Sequence, residues 1–370
     1  MNTTPQFYSN LWGDLQGNID TATWTKVQNH WQNGQYLDTF YTLLDYINPA
    51  LRKTFGNSTQ TQFKVPHGSV VVDIQVSNNK IDINCPMVDI SSATKVPLLR
   101  KAAEINFYPL NLAQLKLNNN QLSYSFSSTL DTCEPYKIYY VLKEICTSAD
   151  RYDDEFSDKF KAKSIVEPKI EIPPAADLDK AWENTVKIID ETFQFIEYFD
   201  SQRWQGSSMD FVVIALKRID LCTQVQGFLK TELERAISDT ANNQVNFNDR
   251  LVKGKAFLQG IKDAGKDAFI KNVYKAETFI PEKWRTSGDQ VKENIKGAID
   301  QTQKYHNDRN FIASVIESLY LIYDLFYKNN MDNKVNDILK KALADAGGKS
   351  WEEASPILLG GLTTIQSTQF

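Results

Sequence analysis

Histidine, cysteine, clustered carboxylates and paired glycines are the residue types here that could carry catalysis or hold a ligand. Each occurs in a pattern that argues for something plainer. His30, His67 and His306 have the chemistry of general bases or metal ligands, but they are far apart in sequence and sit in three different environments. His67, beside Gly68 in a strand connection, reads as turn chemistry. Cys85, Cys133, Cys146 and Cys222 occur singly inside apolar segments, without the close pairing that zinc or redox motifs need. They read as reduced, buried thiols.

The run Asp150-Arg-Tyr-Asp153-Asp154-Glu155 offers oxygen ligands of the kind that bind magnesium or calcium, with Asp150 and Asp154 one helical turn apart. The Asp-x-Asp-x-Asp-Gly loop that would accompany such a site is missing, so the run reads as a solvated helix face. Gly254-x-Lys and Gly347-Gly348-Lys349-Ser350 resemble pieces of a phosphate-binding loop, but neither follows a strand pattern. Gly347-Gly348 reads instead as a helix C-terminus. No Gly-x-Ser-x-Gly elbow, His-Glu-x-x-His pair or Cys-x-x-Cys occurs. No residue is therefore assigned a catalytic, cofactor-binding or metal-binding role, no cofactor is expected, and the chain reads as not an enzyme.

The elements that would position such residues follow from hydrophobic periodicity. A helical pattern runs from Thr21 to Gly34, and a second from Tyr36 carries Leu37, Phe40, Tyr41, Leu43, Leu44 and Ile47 at three- and four-residue intervals. The period then becomes two. Val70, Val72, Ile74 and Val76 alternate with Val71, Asp73 and Gln75, then Asn78-Asn79 marks a turn, and Ile81, Ile83 and Cys85 resume the inward set. A preceding strand is expected at Thr61 to Val65. A helix over Thr94 to Asn106 carries Val96, Leu98, Leu99, Ala102 and Ala103. A second hairpin turns at Asn118-Asn119-Asn120, with Leu115 and Leu117 before it and Leu122, Tyr124 and Phe126 after it, opposite Ser123, Ser125 and Ser127. Pro135 suits a first helical turn, with Thr132 or Asp131 as cap. That helix continues through Tyr136, Tyr139, Tyr140, Leu142, Ile145 and Ala149 and past Phe156.

The expected fold class is an α+β N-terminal domain, an antiparallel sheet covered by helices on one face, followed by an all-α helical bundle. The expected divisions are 1–163, a proline-containing linker over 164–177 marked by Glu167-Pro168 and Pro173-Pro174, and 178–370. Helices in the second part are expected at 177–202, 209–240, 246–278, 287–307, 311–329 and 332–346, with Gly254, Gly260 and Gly265 bending or breaking the third.

At 370 residues two domains are the default. A 42% hydrophobic and 24% charged composition predicts a folded chain, and a net charge of −5 argues against a nucleic-acid partner. Aromatic residues make up 12% of the chain, and most fall on apolar stripes, so core packing accounts for them first. The opening MNTTPQFYSNLWGDLQG lacks a secretory pattern, and no stretch has the length of an integral membrane segment, which gives a cytoplasmic expectation. A peripheral membrane contact through 249–275, where Lys253, Lys255, Lys262, Lys266 and Lys271 accompany Phe257, Leu258, Ile261 and Phe269, is less favoured than packing against neighbouring helices.

Val96-Pro-Leu-Leu-Arg100, Phe107-Tyr108-Pro109-Leu110, the asparagine-turned hairpin and Cys133-Glu134-Pro135-Tyr136 give the first domain an element order that resembles type III secretion chaperones and the related YbjN-type bacterial domains. The similarity covers about Trp24 to Phe160 and is topological; the helical domain has no counterpart in that family. The resemblance implies non-catalytic binding of a partner polypeptide, often with homodimerisation. The outward sheet positions Asp73, Gln75, Asp82, Asn84, Ser123 and Ser125 are polar, so partner capture would use a strand edge, a helix groove or the helical bundle. The functional expectation is a protein-binding, chaperone-like or scaffold protein whose partner is another polypeptide or its own copy. The alternative is an enzyme or small-ligand receptor with a pocket between the domains.

Overall fold

The computed structural model describes residues 3–11, 21–77, 79–166 and 170–370. The chain divides into two compact units. One holds Asp14–Ile172 and Tyr274–Glu282, the other Met1–Gly13, Pro173–Val273 and Lys283–Phe370. The expected fold class holds: the first unit is α+β and the second is built on helices.

In the α+β unit, helices α1 (Thr21–Gln32), α2 (Tyr36–Ile47) and α3 (Leu51–Phe55) precede strands β1 (Gln62–His67), β2 (Val70–Ser77) and β3 (Lys80–Asp89). Helix α4 (Lys95–Phe107) then leads into the hairpin β4 (Gln114–Asn118) and β5 (Gln121–Thr129), and the long α5 (Pro135–Phe160) closes the layer. The antiparallel sheet runs β1-β2-β3-β5-β4, and β6 (Lys163–Ser164) pairs with the end of β3. The alternation seen in sequence is the burial pattern. Phe63, Val65, Val72, Ile74, Ile81, Ile83, Cys85, Leu122 and Tyr124 are buried against the helices, while Gln75, Asn84 and Ser127 are exposed on the other face. The second hairpin turns through Asn119 and Asn120, both left-handed at φ 47° and 65°, a geometry that asparagine tolerates. In the first hairpin Asn79 has φ 61°, and Asn78 lies outside the described residues.

The N-cap of α5 is Glu134, whose carboxylate accepts the Lys137 N–H at 3.0 Å. Thr132 and Asp131 do not cap it. Pro135 at the first helical position makes the preceding residue the cap, and the two expected caps are taken up in a short 3-10 turn, Leu130–Thr132.

The proline-marked joint is shorter and more structured than a free linker. Lys163–Ser164 is strand-paired, β7 (Ile170–Glu171) pairs with β8 (Lys275–Ala276), and α6 (Ala175–Ser201) begins directly after Pro174. Glu167-Pro168 lies outside the described residues. The two units part between Ile172 and Pro173, and two segments depart from a simple linear division. Residues 274–282 return to the α+β unit, where Phe279 and Ile280 join its core, and residues 3–11 belong to the helical unit.

The helical unit continues with α7 (Gln205–Thr223), α8 (Gly227–Ala241), α9 (Phe247–Ala264), α10 (Lys266–Ile270), α11 (Gly288–Asn307), α12 (Phe311–Lys328), α13 (Asn333–Ala346) and α14 (Trp351–Ser367). The expected helix over 209–240 is broken at left-handed Gln224 and Gly227, and the one over 246–278 breaks at Gly265, φ 80°. Beyond Ile270 a turn at residues 271–272 leads into the strand Lys275–Ala276. Short strands β9 (Trp284–Thr286) and β10 (Asn329–Met331) pair in parallel, so the unit is not purely helical. Gly254 is where α9 meets α7: a β-carbon there would lie 2.6 Å from Val212. Leu258, Ile261 and Phe269, the apolar stripe considered for membrane contact, are buried among Val212, Leu216 and Leu233. Among the described residues no helix is long and apolar enough to cross a membrane.

Candidate functional site

The sequence singled out polar clusters, and the structure does not gather them into one site. His30 Nδ1 meets Gln35 Oε1 at 2.8 Å between α1 and α2, and His306 Nδ1 meets Ser355 Oγ at 2.8 Å in the helical unit. His67 is fully buried. Its Nδ1 accepts the backbone N–H groups of Phe279 at 3.0 Å and Ile280 at 3.4 Å, which places the ring proton on Nε2, 3.9 Å from Glu282 Oε1. This histidine is a latch for the returning segment 274–282.

The acidic run is not a solvated face. Asp153 and Glu155 are buried, and Asp150 Oδ1 accepts both the N–H (2.7 Å) and the hydroxyl (3.0 Å) of Ser69 at the β1–β2 turn. Positions 150 and 153 fall on the side of α5 that covers the sheet, which charge counting alone could not reveal. Burial first, then the Asp154 charge, push the Asp153 carboxyl well above the usual range. Gly68 lets the turn approach, since a β-carbon there would meet Asp150 Oδ1 at 1.8 Å. The four cysteines are buried and unpaired with one another, and burial raises each thiol.

A polar seam in the helical unit joins α7 to α12. The almost fully buried Lys217 donates to Asp324 at 2.6 Å, with its ammonium 4.5 Å from the Tyr320 ring centre. Burial lowers the Lys217 pKa. Burial also works to raise the Asp324 carboxyl, but hydrogen bonds from Lys217 and Lys328 more than offset it and leave it below the ordinary value. The pairing satisfies both charges, so the seam reads as architecture.

The outer face of α4 has no such internal explanation. Leu98, Ala102 and Ile105 face the core. Val96, Leu99, Ala103 and Phe107, spaced at three- and four-residue intervals, form a second apolar stripe that faces outward. Val96 is 65% exposed, Phe107 91% and the following Tyr108 78%. Large apolar side chains at that exposure leave an uncovered apolar face on the helix, and fully covering each would contribute about 1.5–3 kcal/mol. The expected stripe of Val96, Leu98, Leu99, Ala102 and Ala103 thus merges two faces.

Neighbouring groups hold the helix rigidly. Asn106 Nδ2 donates to the Leu115 carbonyl (2.8 Å) and its Oδ1 accepts the Leu115 N–H (2.7 Å), pinning the end of α4 to edge strand β4. Glu144 on α5 accepts the N–H groups of Asn111 (2.5 Å), Leu112 (3.0 Å) and Ala113 (2.7 Å), fixing the connection between α4 and β4. One flank of the stripe carries Arg100 and Glu104, both exposed; Lys95 and Asn106 occupy the other. The chain matches no protein-family model and shows no significant similarity to a curated protein.

Proposed function

We propose that this chain is a non-catalytic protein-binding scaffold whose α+β unit works through the exposed face of α4, with a second copy of the chain as occupant. The observation that carries this reading is the outward stripe Val96, Leu99, Ala103 and Phe107 on a helix whose other face is already buried.

The pattern is self-complementary. Val96 with Phe107, Leu99 with Ala103, and Arg100 with Glu104 are three pairs all centred near Lys101 and Ala102. Two α4 helices packed antiparallel about a two-fold axis bring like flanks together. Arg100 of each copy then faces Glu104 of the other, and Leu99 fills the space left by the small Ala103. Covering Val96, Leu99 and Phe107 on both copies supplies the apolar drive for association, set against the translational and rotational freedom lost on binding. The resemblance to secretion chaperones, which bind polypeptides and dimerise, points the same way, and four free buried thiols suit a reducing, cytoplasmic setting.

The test is sedimentation equilibrium across a concentration series. The parent chain should show reversible dimerisation that Phe107→Ser weakens about tenfold or more, in line with losing about 1.4 kcal/mol or more of burial. A parent chain that remains monomeric at high concentration would remove the proposal.

A further inference from the structure

Residues 4–10 have no regular secondary structure, yet they are seated in the helical unit like a bound peptide. Thr4 is 3% exposed. Its N–H donates to the Lys349 carbonyl (2.7 Å), its carbonyl accepts the Gly348 N–H (3.2 Å), and its hydroxyl donates to the carbonyls of Ala346 (2.6 Å) and Lys349 (3.2 Å). Pro5 is buried beside it. Gln6 is held through its main chain: Glu191 Oε1 accepts its N–H at 3.0 Å, and Arg218 Nη2 donates to its carbonyl at 2.6 Å. Arg218 Nη2 also donates to Glu191 Oε2 at 2.7 Å, so guanidinium and carboxylate close around the backbone of one residue. Phe7 then packs against one helical core, and Tyr8 and Leu11 against the other.

Two features mark the groove as built for a chain to lie in. Arg218 is 98% buried by its 2% exposure, and its Nε and Nη1 have no hydrogen-bond partner among the described residues. A buried ion pair is a poor source of stability by itself. Placed across a peptide N–H and carbonyl, it grips a backbone whatever the side chain. The glycine pair that ends α13 supplies the second feature. A β-carbon on Gly348 would lie 2.3 Å from the Gln6 side chain, and one on Gly347 would lie 3.1 Å from the Phe7 nitrogen. Gly347-Gly348 is therefore a floor for the segment as well as a helix end.

We infer that the helical unit carries a receptor groove for an extended polypeptide of the pattern Thr-Pro-x-aromatic-aromatic, clamped by Arg218 and Glu191 and filled in cis by residues 3–11. Specificity follows from the contacts: a hydroxyl donor at the first position, a residue needing no N–H at the second, a side chain able to lie over Gly348 at the third, and rings at the fourth and fifth. The same segment offered from outside must compete with the tethered copy, whose effective concentration is about millimolar.

The experiment titrates a fluorescent synthetic peptide of residues 3–11 into the full chain carrying Thr4→Glu, which sets a carboxylate against the Ala346 and Lys349 carbonyls and releases the tethered copy. The peptide should bind this variant about tenfold or more tighter than the parent chain, and adding Arg218→Gln should abolish the gain. Should the Thr4→Glu chain fail to fold, the parent chain takes a peptide with benzophenone in place of Phe7 at about millimolar concentration. Cross-links should then concentrate beside Gly347 and be displaced by unlabelled peptide. Absence of saturable binding to the folded variant, binding indifferent to Arg218→Gln, or cross-links scattered over the chain would overturn the inference.

Discussion

The Asn106 carboxamide brackets Leu115, donating to its carbonyl and accepting its N–H as a neighbouring strand would. With a two-residue turn closing β4 on β5 and Asn118 opposite Gln121, the main-chain groups of Leu115 point away from β5. A helix side chain thus occupies the sheet edge and at the same stroke anchors the helix that bears the exposed stripe.

Asn106→Ala should lower the unfolding free energy by about 1–3 kcal/mol, because the buried Leu115 N–H loses its acceptor. Urea denaturation measures the loss. Amide hydrogen exchange at Leu115 should accelerate while exchange in β2 and β3 stays slow.

Gly68→Ala should cost about 2–4 kcal/mol, since the position has φ 57° and the added carbon would enter the Asp150 carboxylate. Asp150→Asn keeps an acceptor for Ser69 and should cost about 1 kcal/mol. Thermal unfolding of the two variants should rank them in that order.

His67→Ala should loosen the segment 274–282 before the sheet itself opens. Phe279 and Ile280 would keep their buried apolar positions but lose the acceptor of their N–H groups, at a cost of about 1–3 kcal/mol. Exchange at those two amides is the measurement, and unchanged protection there would contradict the latch.

Asp210 provides a pH-dependent test in the helical unit. Burial, and then the Glu317 charge, raise its carboxyl from 3.8 to about 6. The folded chain therefore holds this proton more tightly than the unfolded chain, so its contribution favours folding in acid and is lost as the pH rises from about 4 through about 6. Asp210→Asn should leave stability unchanged below about pH 4 and increase it above about pH 6, by about 1–2 kcal/mol after solvent screening.

Much of the sheet was legible because alternation has only one structural meaning over Val70–Val76 and Leu122–Phe126, and the asparagine turns mark where it reverses. The helical stripes placed most of α6 to α13 for the same reason. What escaped depended on contacts distant in sequence. α14 carries Pro356 and Gly360-Gly361 inside it and has a blurred period, though the Ser350–Glu353 capping box, with the side chain of each residue bonded to the other's backbone, was a sequence signal for its start. Lys275–Ala276 fall inside the expected helix over 246–278, and pairing with Ile170–Glu171, distant in sequence, makes them a strand. The α4 face was obscured for a different reason. Hydropathy registers Val96, Leu98 and Leu99 alike, and only the position of the sheet decides which of them remain outside.

Charge reversal across α4 tests the proposed pairing most directly. A chain with Arg100→Glu and another with Glu104→Arg should each dimerise at least about tenfold more weakly than the parent, since like charges then face each other across the two-fold axis. Mixed in equal amounts, the two should form a heterodimer at close to parental affinity, read by native mass spectrometry. Two variants that associate as the parent does, or a mixture that yields no heterodimer, would contradict self-association through this helix.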